Sequence, residues 1–343
     1  MMLAIFSSVE AGVIYAIMAL GVYLSFRILD FPDLTVDGSF VTGASVASIM
    51  IVNGQSPLVA TAAALVAGFV AGGITGLLHT KGKVNPLLSG ILMMIALYSI
   101  NLRIMGKSNV PLLTEETLMT KITAFWQNSG LDGALNNLLA AAGLGAEVPK
   151  TWGILFTMLL LTLLIKVLID AFLKTEIGLT LRATGNNAAM VKSFSANTGT
   201  MKVIGLGISN GLVAFSGALV AQYNGFSDAG MGIGMIVIGL ASVIIGEAVF
   251  GSKTIARATL AVIGGAVIYR IVVTLALQVQ FLETGDMKLI TAIIVIFALI
   301  IPNISAAQKE KSRKKKRLKE LSFQRVDSFE KGGEQIAAVK SDI

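Results

Sequence analysis

Apolar residues run through this chain in blocks close to 20 residues long, separated by short polar or glycine- and proline-containing breaks. A helix needs about 20 such residues to cross a ~30 Å hydrocarbon core. The pattern predicts nine spans, at 3–26, 36–52, 57–78, 86–106, 152–174, 202–223, 234–250, 255–277 and 287–304. The stretch RILDFPDLT, 27–35, is too short to cross, and with Pro32 it reads as a re-entrant or broken-helix piece. Such backbone survives at membrane depth only where protein or a water-filled cavity surrounds it. The expected fold is therefore all-α: a polytopic membrane helix bundle of about nine spans over 1–304, followed by a partly disordered basic tail, 305–343.

Composition agrees with that pattern and removes several chemistries. The 343 residues are 55% hydrophobic and only 14% charged, against about 25% charged in an average soluble domain. The 36 glycines suit closely approaching membrane helices. Gly68, Gly72 and Gly76 form a GxxxGxxxG face on the third span, better read as packing within one subunit than as a dimer seam. With no cysteine there is no disulfide, thiolate metal site or cysteine nucleophile. The single histidine, His79, sits in a short basic loop, HTKGK, and HExxH does not occur. No metal site and no enzyme activity are expected. Residues 3–26 lack a basic leader and a small-residue cleavage signal, and read as a retained span.

Charge sets the expected sidedness. Arg27, Lys81, Lys83, Lys174, Arg182, Lys192, Lys202, Lys253 and Arg257 all fall on one side of the nine-span arrangement, as does the tail SRKKKRLK. By the positive-inside rule that side is cytoplasmic, with the N-terminus out. From residue 306 onward eleven Lys and Arg face six Asp and Glu, so most of the net +7 is one tail. That tail suits anionic membrane lipid or a topology signal, not nucleic acid. On the outer side, 107–151 is long enough for one or two amphipathic surface helices, either a functional loop or a structural cap.

The cytoplasmic stretch TEIGLTLRATGNNAAMVKSFSANTGT, 175–200, is too polar for lipid yet carries Leu181, Met190, Val191 and Phe194 at near-helical spacing. Its run of Gly178, Arg182, Ala183, Gly185, Asn187, Ala188 and Ala189, with Asn197 further on, resembles the cytoplasmic loop of type II-like ABC importer permeases. DLTVDGSFVTGASVAS, 33–48, and IGLASVIIGEAVFGSKTIARATLAVIGGAVI, 238–268, are similar to two further family segments in colinear order. The resemblance is to the branched-chain amino acid and ribose permease superfamily. Glu247 and Asp37 depart from the sugar-type pattern, and the fit is closest to an amino-acid-type group associated with aromatic amino acid uptake.

The resemblance implies a bacterial cell-membrane permease that imports a small polar solute, an amino acid of branched-chain or aromatic type. It would work by alternating access driven by a separate ATPase, pairing with a second copy or a related permease. Two ABC ATPase subunits and an extracytoplasmic solute-binding protein would complete the assembly. The chain carries no Gly-x-x-x-x-Gly-Lys-Ser/Thr loop, so ATP belongs to a separate subunit and no cofactor is expected here. Coupling to the ATPase falls to Gly178, Arg182, Ala183, Gly185, Asn187, Ala188, Ala189, Lys192 and Phe194. In that reading Leu181, Ala188, Val191 and Phe194 dock, Arg182 and Lys192 fix the register, and Gly185 with Asn186–Asn187 starts the helix.

Ionisable groups inside spans are functional candidates by default. Glu10, Asp37, Glu247 and Arg270 qualify, and with Asp33 and Asn210 they make up the expected translocation-pathway set. Arg270 needs a partner, for which Glu247 or Glu10 is the natural choice. A structural ion pair and a substrate contact are both open. Lys166 and Asp170, one turn apart, read as a local pair. Two other functions fit less well: an ion-coupled secondary transporter, whose paired interrupted helices are missing, and a non-transporting scaffold.

Overall fold

The computed structural model describes residues 2–133, 136, 149 and 151–277, with Leu289, Ala292, Ile293, Ile296 and Lys314 as isolated positions. The predicted ninth span, 287–304, the tail 305–343 and the stretch 137–148 of the outer segment otherwise lie outside the described residues. The chain divides into two units, Met1–Val295 and Ile296–Ile343; nearly all of the described residues belong to the first.

Among the described residues, ten α-helices and two short strands follow in order. They are α1 (Met2–Val22), α2 (Thr35–Val52), α3 (Pro57–Thr80), α4 (Pro86–Met105), β1 (Asn109–Pro111), α5 (Leu118–Asn128), α6 (Gly153–Phe172), α7 (Glu176–Ser193), α8 (Thr198–Asn224), β2 (Phe226–Asp228), α9 (Met235–Phe250) and α10 (Ile255–Leu277). Among the described residues seven helices are long and apolar enough to cross a membrane, and α9 is a shorter apolar helix. The all-α polytopic bundle stands; the predicted number of nine spans does not follow from it. The seventh predicted span, 234–250, begins with the loop residue Gly234 and yields only the 16-residue α9.

Local sequence explains where the helices stop and start. Pro57 and Pro86 stand at the first turns of α3 and α4, where a missing N–H leaves no bond unmade. Asn85 and Asn197 accept from the backbone N–H of Leu87 and Thr200, capping α4 and α8. α1 runs on through a π-helical turn, Tyr23–Ile28, before the chain breaks at Leu29.

The core is organised around α8. Helices in lipid gain little from hydrophobic exclusion, so they associate by close van der Waals packing, which small residues permit. A Cβ on Gly68, Gly72 or Gly76 of α3 would collide with Ala214, Leu206 or Val203 of α8. The GxxxGxxxG face is thus filled within one subunit. Gly43 of α2 meets Ala214, and Gly217 of α8 meets Phe40, closing a second such contact. The hydroxyls of Ser209 and Ser216 on α8 donate to the carbonyls of Gly21 and Ile14 on α1, at 2.7 and 2.9 Å. α9 and α10 cross through Gly246 and Gly265, and α10 meets α1 at Gly12. α4 and α6 lie outermost, leaving Leu88, Leu92, Leu160, Leu164 and Leu168 exposed.

One end of the bundle carries α7. The opposite end carries α5 and a two-stranded antiparallel ribbon in which Val110 pairs with Ser227. The ribbon is an addition to the all-α expectation; three-residue strands containing Pro111 leave no alternating pattern to read. α5 is the amphipathic helix expected in 107–151. Thr117 and Thr120 form its capping box, and Trp126 stacks on Phe156 of α6.

The glycine packing makes a signed prediction. Gly73, beside Gly72, has open space where a Cβ would stand. Gly73→Ala should stabilise the detergent-purified protein by up to about 1 kcal/mol through helix propensity. Gly72→Ala should destabilise it by about 1–3 kcal/mol by overpacking α3 against α8. Thermal unfolding of the two variants checks the opposite signs.

Candidate functional site

Two passages of non-helical backbone enter the bundle, 29–34 between α1 and α2, and 229–234 between β2 and α9. Both converge on the start of α2, where Asp33, just before the helix, and Asp37, in its first turn, satisfy their polar groups. Asp33 is fully buried. Its Oδ1 accepts the N–H of Thr35 at 3.0 Å, and its Oδ2 accepts from Asn210 Nδ2, mid-way along α8, at 2.6 Å. Beside it the hydroxyls of Thr35 and Thr75 lie 2.8 Å apart, tying α2 to α3. Asp37 faces the other passage. Its Oδ2 accepts from Gly234 N at 2.9 Å and its Oδ1 from Ile236 N at 2.8 Å. A carboxylate on α2 thereby caps the N-terminus of α9, where orphan N–H groups and the helix dipole favour negative charge.

α9 therefore starts inside the bundle. Its Gly239 packs on Val22 of α1, and Glu247 in its last turn reaches Arg27 at 3.0 Å. The Arg27 side chain is 60% exposed and Glu247 17% exposed, so this pair joins the α7 end of the bundle to solvent. Glu247 is thus the partner of Arg27, not of Arg270. The Arg270 guanidinium instead lies 3.9 Å over the ring centroid of Tyr15, and its Nε has no hydrogen-bond partner among the described residues. Glu10 accepts from the Tyr223 hydroxyl at 3.1 Å. Tyr15 stacks with Phe40 at 6.0 Å, so Arg270 rests on an aromatic pair. Lys166 and Asp170 pair at 2.6 Å within α6, and Asp170 also accepts from Thr259 of α10. Sequence reasoning brought out these charges but paired Arg270 wrongly, because contacts 220 residues apart leave no local signal.

α7 bends once, at Asn187, whose φ of −156° and ψ of 89° break the helix. The Asn187 side chain accepts from Met190 N at 3.0 Å and so caps a second short helical piece ending at Ser193. The first piece is seated on the bundle. Cβ atoms on Gly178 and Gly185 would collide with Phe172 and Ile28, so both glycines serve close packing. Leu181 and Val191 are buried within the chain. They cannot form the docking face that sequence spacing suggested for them. The free apolar side chains are Ile177, Leu179, Met190 and Phe194, the last 76% exposed. Ala189 and Lys192 are exposed beside them, with Ala183 and Ala188 half-buried. Arg182 lines two polar recesses. One, of about 640 Å³, also has Arg27, Asp30 and Asn186 in its wall; the other has Arg27, Glu247 and Lys253.

Set beside known proteins, the chain matches, over residues 4–301, the family model described as the branched-chain amino acid transport system permease component. The chain belongs to that family. It is 43% identical over 313 residues, 91% of its own length and 96% of the relative's, to a tyrosine transport system permease protein of Clostridioides difficile (strain R20291). It is 33% identical over 297 residues, 85% of its length and 95% of the relative's, to an uncharacterised protein of Rickettsia prowazekii (strain Madrid E). No solved structure matches it significantly. The permease is thus the multi-pass, membrane-embedded component of an ABC-type amino acid transport system and not an enzyme. Membership implies an ATPase and further transport components.

The Asp37 cap is open to test in the purified permease. Asp37→Ala leaves the Gly234 and Ile236 amides without their acceptor, a loss of about 1–2 kcal/mol for a partly buried cap. Hydrogen exchange should quicken at the start of α9 by about tenfold or more, while the α3–α8 contact stays protected.

Proposed function

We propose that this permease carries an aromatic amino acid inward by alternating access, driven by a separate ATPase that grips α7. The observation that carries the mechanical part is the two-piece build of α7. Its first piece is locked to the bundle through Gly178 and Gly185. Its second, capped by Asn187, presents Met190 and Phe194 to solvent. A rigid stem with a free apolar tip suits a groove on a partner, and Arg182 and Lys192 add charge that fixes its register. The aromatic cargo is supported by the relative named for tyrosine transport.

In this reading the α7 end is cytoplasmic, the N-terminus lies outside, and α5 with the ribbon faces an extracytoplasmic solute-binding protein. Two copies of the permease, or one with a related chain, bind two ATPase subunits. ATP-driven closure of those subunits selects between the two arrangements of the bundle. The candidate pathway groups are Asp33, Asp37, Asn210, Glu10, Glu247 and Arg270. Of these, Asp33, Asp37 and Asn210 meet at the broken helices, where transporter sites commonly form. The Arg27–Glu247 pair stands at the cytoplasmic mouth.

Phe194→Asp or Arg182→Glu should leave membrane insertion intact, yet weaken retention of the ATPase on co-purification and lower uptake by more than about tenfold. Normal uptake and normal co-purification in both variants would sink the coupling role of α7. The sidedness has its own test, helped by a chain that contains no cysteine. Asn187→Cys should react only with reagent admitted to the cytoplasm, and Asn128→Cys only with reagent outside.

A further inference from the structure

Arg27, Arg182 and Lys253 come from three elements: the π-helical end of α1, the stem of α7, and the turn between α9 and α10. All three line one recess of about 390 Å³, the smaller of the two that Arg182 borders. Ser252 and Thr254 add hydroxyls to its wall, and Ile255 and Ala258 add apolar surface. Glu247 is the one carboxylate among the described residues of that wall, and Arg27 holds it at 3.0 Å. Arg182 and Lys253 make neither a hydrogen bond nor an ion pair among the described residues. Asp30 lines the adjoining recess instead, so the surplus positive charge lies on the Lys253 side.

A single unpaired lysine on a surface is ordinary and solvated. Three cations that three elements bring to one recess are not, because like charges repel unless an anion joins them. The depth of the recess selects the anion. The apolar span that includes α1 ends at Ile28 and that of α10 begins at Ile255, so the recess lies where hydrocarbon gives way to headgroups. Val249 and Phe250, in the last turn of α9, and Leu260, in the second turn of α10, stand exposed on the hydrocarbon side. A free phosphate suits the cations and hydroxyls but leaves these apolar side chains uncovered. A zwitterionic lipid covers them but carries its own ammonium into a positive recess. An anionic phospholipid meets both conditions.

We propose that this recess binds the phosphate of an anionic phospholipid, whose acyl chains lie along α9 and α10. The phosphate joins Arg182 on α7 to Lys253 beside α10 and relieves their repulsion. The stem of α7 is then held at this edge by a membrane component as well as by protein packing. The site depends neither on the identity of the cargo nor on how the ATPase docks.

Native mass spectrometry of the purified permease, without its ATPase, tests the site. The wild type should retain phosphatidylglycerol at about tenfold lower concentration than phosphatidylcholine. Lys253→Gln should weaken retention of phosphatidylglycerol by about fivefold, the share of one basic group near a lipid surface. Adding Arg182→Gln should bring the loss above about tenfold, whereas Lys253→Arg should keep the lipid. Replacing Lys81 and Lys83, two exposed lysines at the same end of the bundle, by Gln should leave retention unchanged. Equal retention of the two lipids overturns the proposal, as does an equal loss in the Lys81 and Lys83 variant. Inorganic phosphate that displaces phosphatidylglycerol at equal concentration also overturns it, in favour of a free anion. So does a permease that retains no lipid while Lys253→Gln releases the ATPase from the assembled transporter, which assigns the recess to an acidic side chain of that partner.

Discussion

The fold depends on how the permease satisfies backbone polar groups that enter the bundle without a helix around them. Unpaired N–H and C=O groups at membrane depth are each worth several kcal/mol, and two passages of the chain expose them. Both are resolved at one place, the start of α2. Asp33 bonds Thr35 N and Asn210, while Asp37 bonds Gly234 N and Ile236 N. Neither aspartate has a cationic partner within 4 Å among the described residues. Their oxygens are met instead by amide donors, those of Thr35 and Asn210 at Asp33 and those at the start of α9 at Asp37.

This convergence requires close approach. α2 reaches α8 only because Gly43 and Gly217 let backbone meet backbone, and α3 reaches it through Gly68, Gly72 and Gly76. α8 is accordingly the most buried of the seven long helices, and α4 and α6 are the least. The exposed leucines of α4 and α6 suit a lipid boundary. The glycines and the aspartates therefore act together: small residues bring three helices near enough for one carboxylate to reach Asn210 and another to reach α9.

Much of this was legible along the chain, because lipid imposes a simple rule on sequence. The apolar blocks located seven long helices to within a few residues, and Pro32 with two nearby aspartates located the first broken passage. The second, 229–234, was missed. It ends in Gly234 and an apolar run, and that run reads as one span unless the capping carboxylate 197 residues away is known. The docking face of α7 was misread for a related reason. Helical spacing grouped Leu181 and Val191 with Phe194, but the bend at Asn187 turns the second piece, and both residues face the bundle. Spacing reports one helix axis, and α7 has two.

The α7 end and the broken helices are linked by contiguous packing. Gly185 presses against Ile28 and Leu29, at the end of the π-helical turn that finishes α1. Four residues later the same strand of chain supplies Asp33. The turn is an extra-wide segment whose backbone bonds reach five residues, a form often retained at functional sites. Beyond it Asp30 sits at φ 51°, in the left-handed region that non-glycine residues rarely occupy. Arg27, in the last turn of that π-helix, also holds Glu247 at the far end of α9. Both ends of α9 are thus tethered to the segment from Arg27 to Asp37, one by an ion pair and one by a cap. A force applied to α7 arrives first at Ile28, where backbone meets backbone and no side chain can absorb it by changing rotamer. Under the proposed coupling, the segment from Arg27 to Asp37 is where that force becomes a displacement of α9, and so of the 229–234 loop that leads into it.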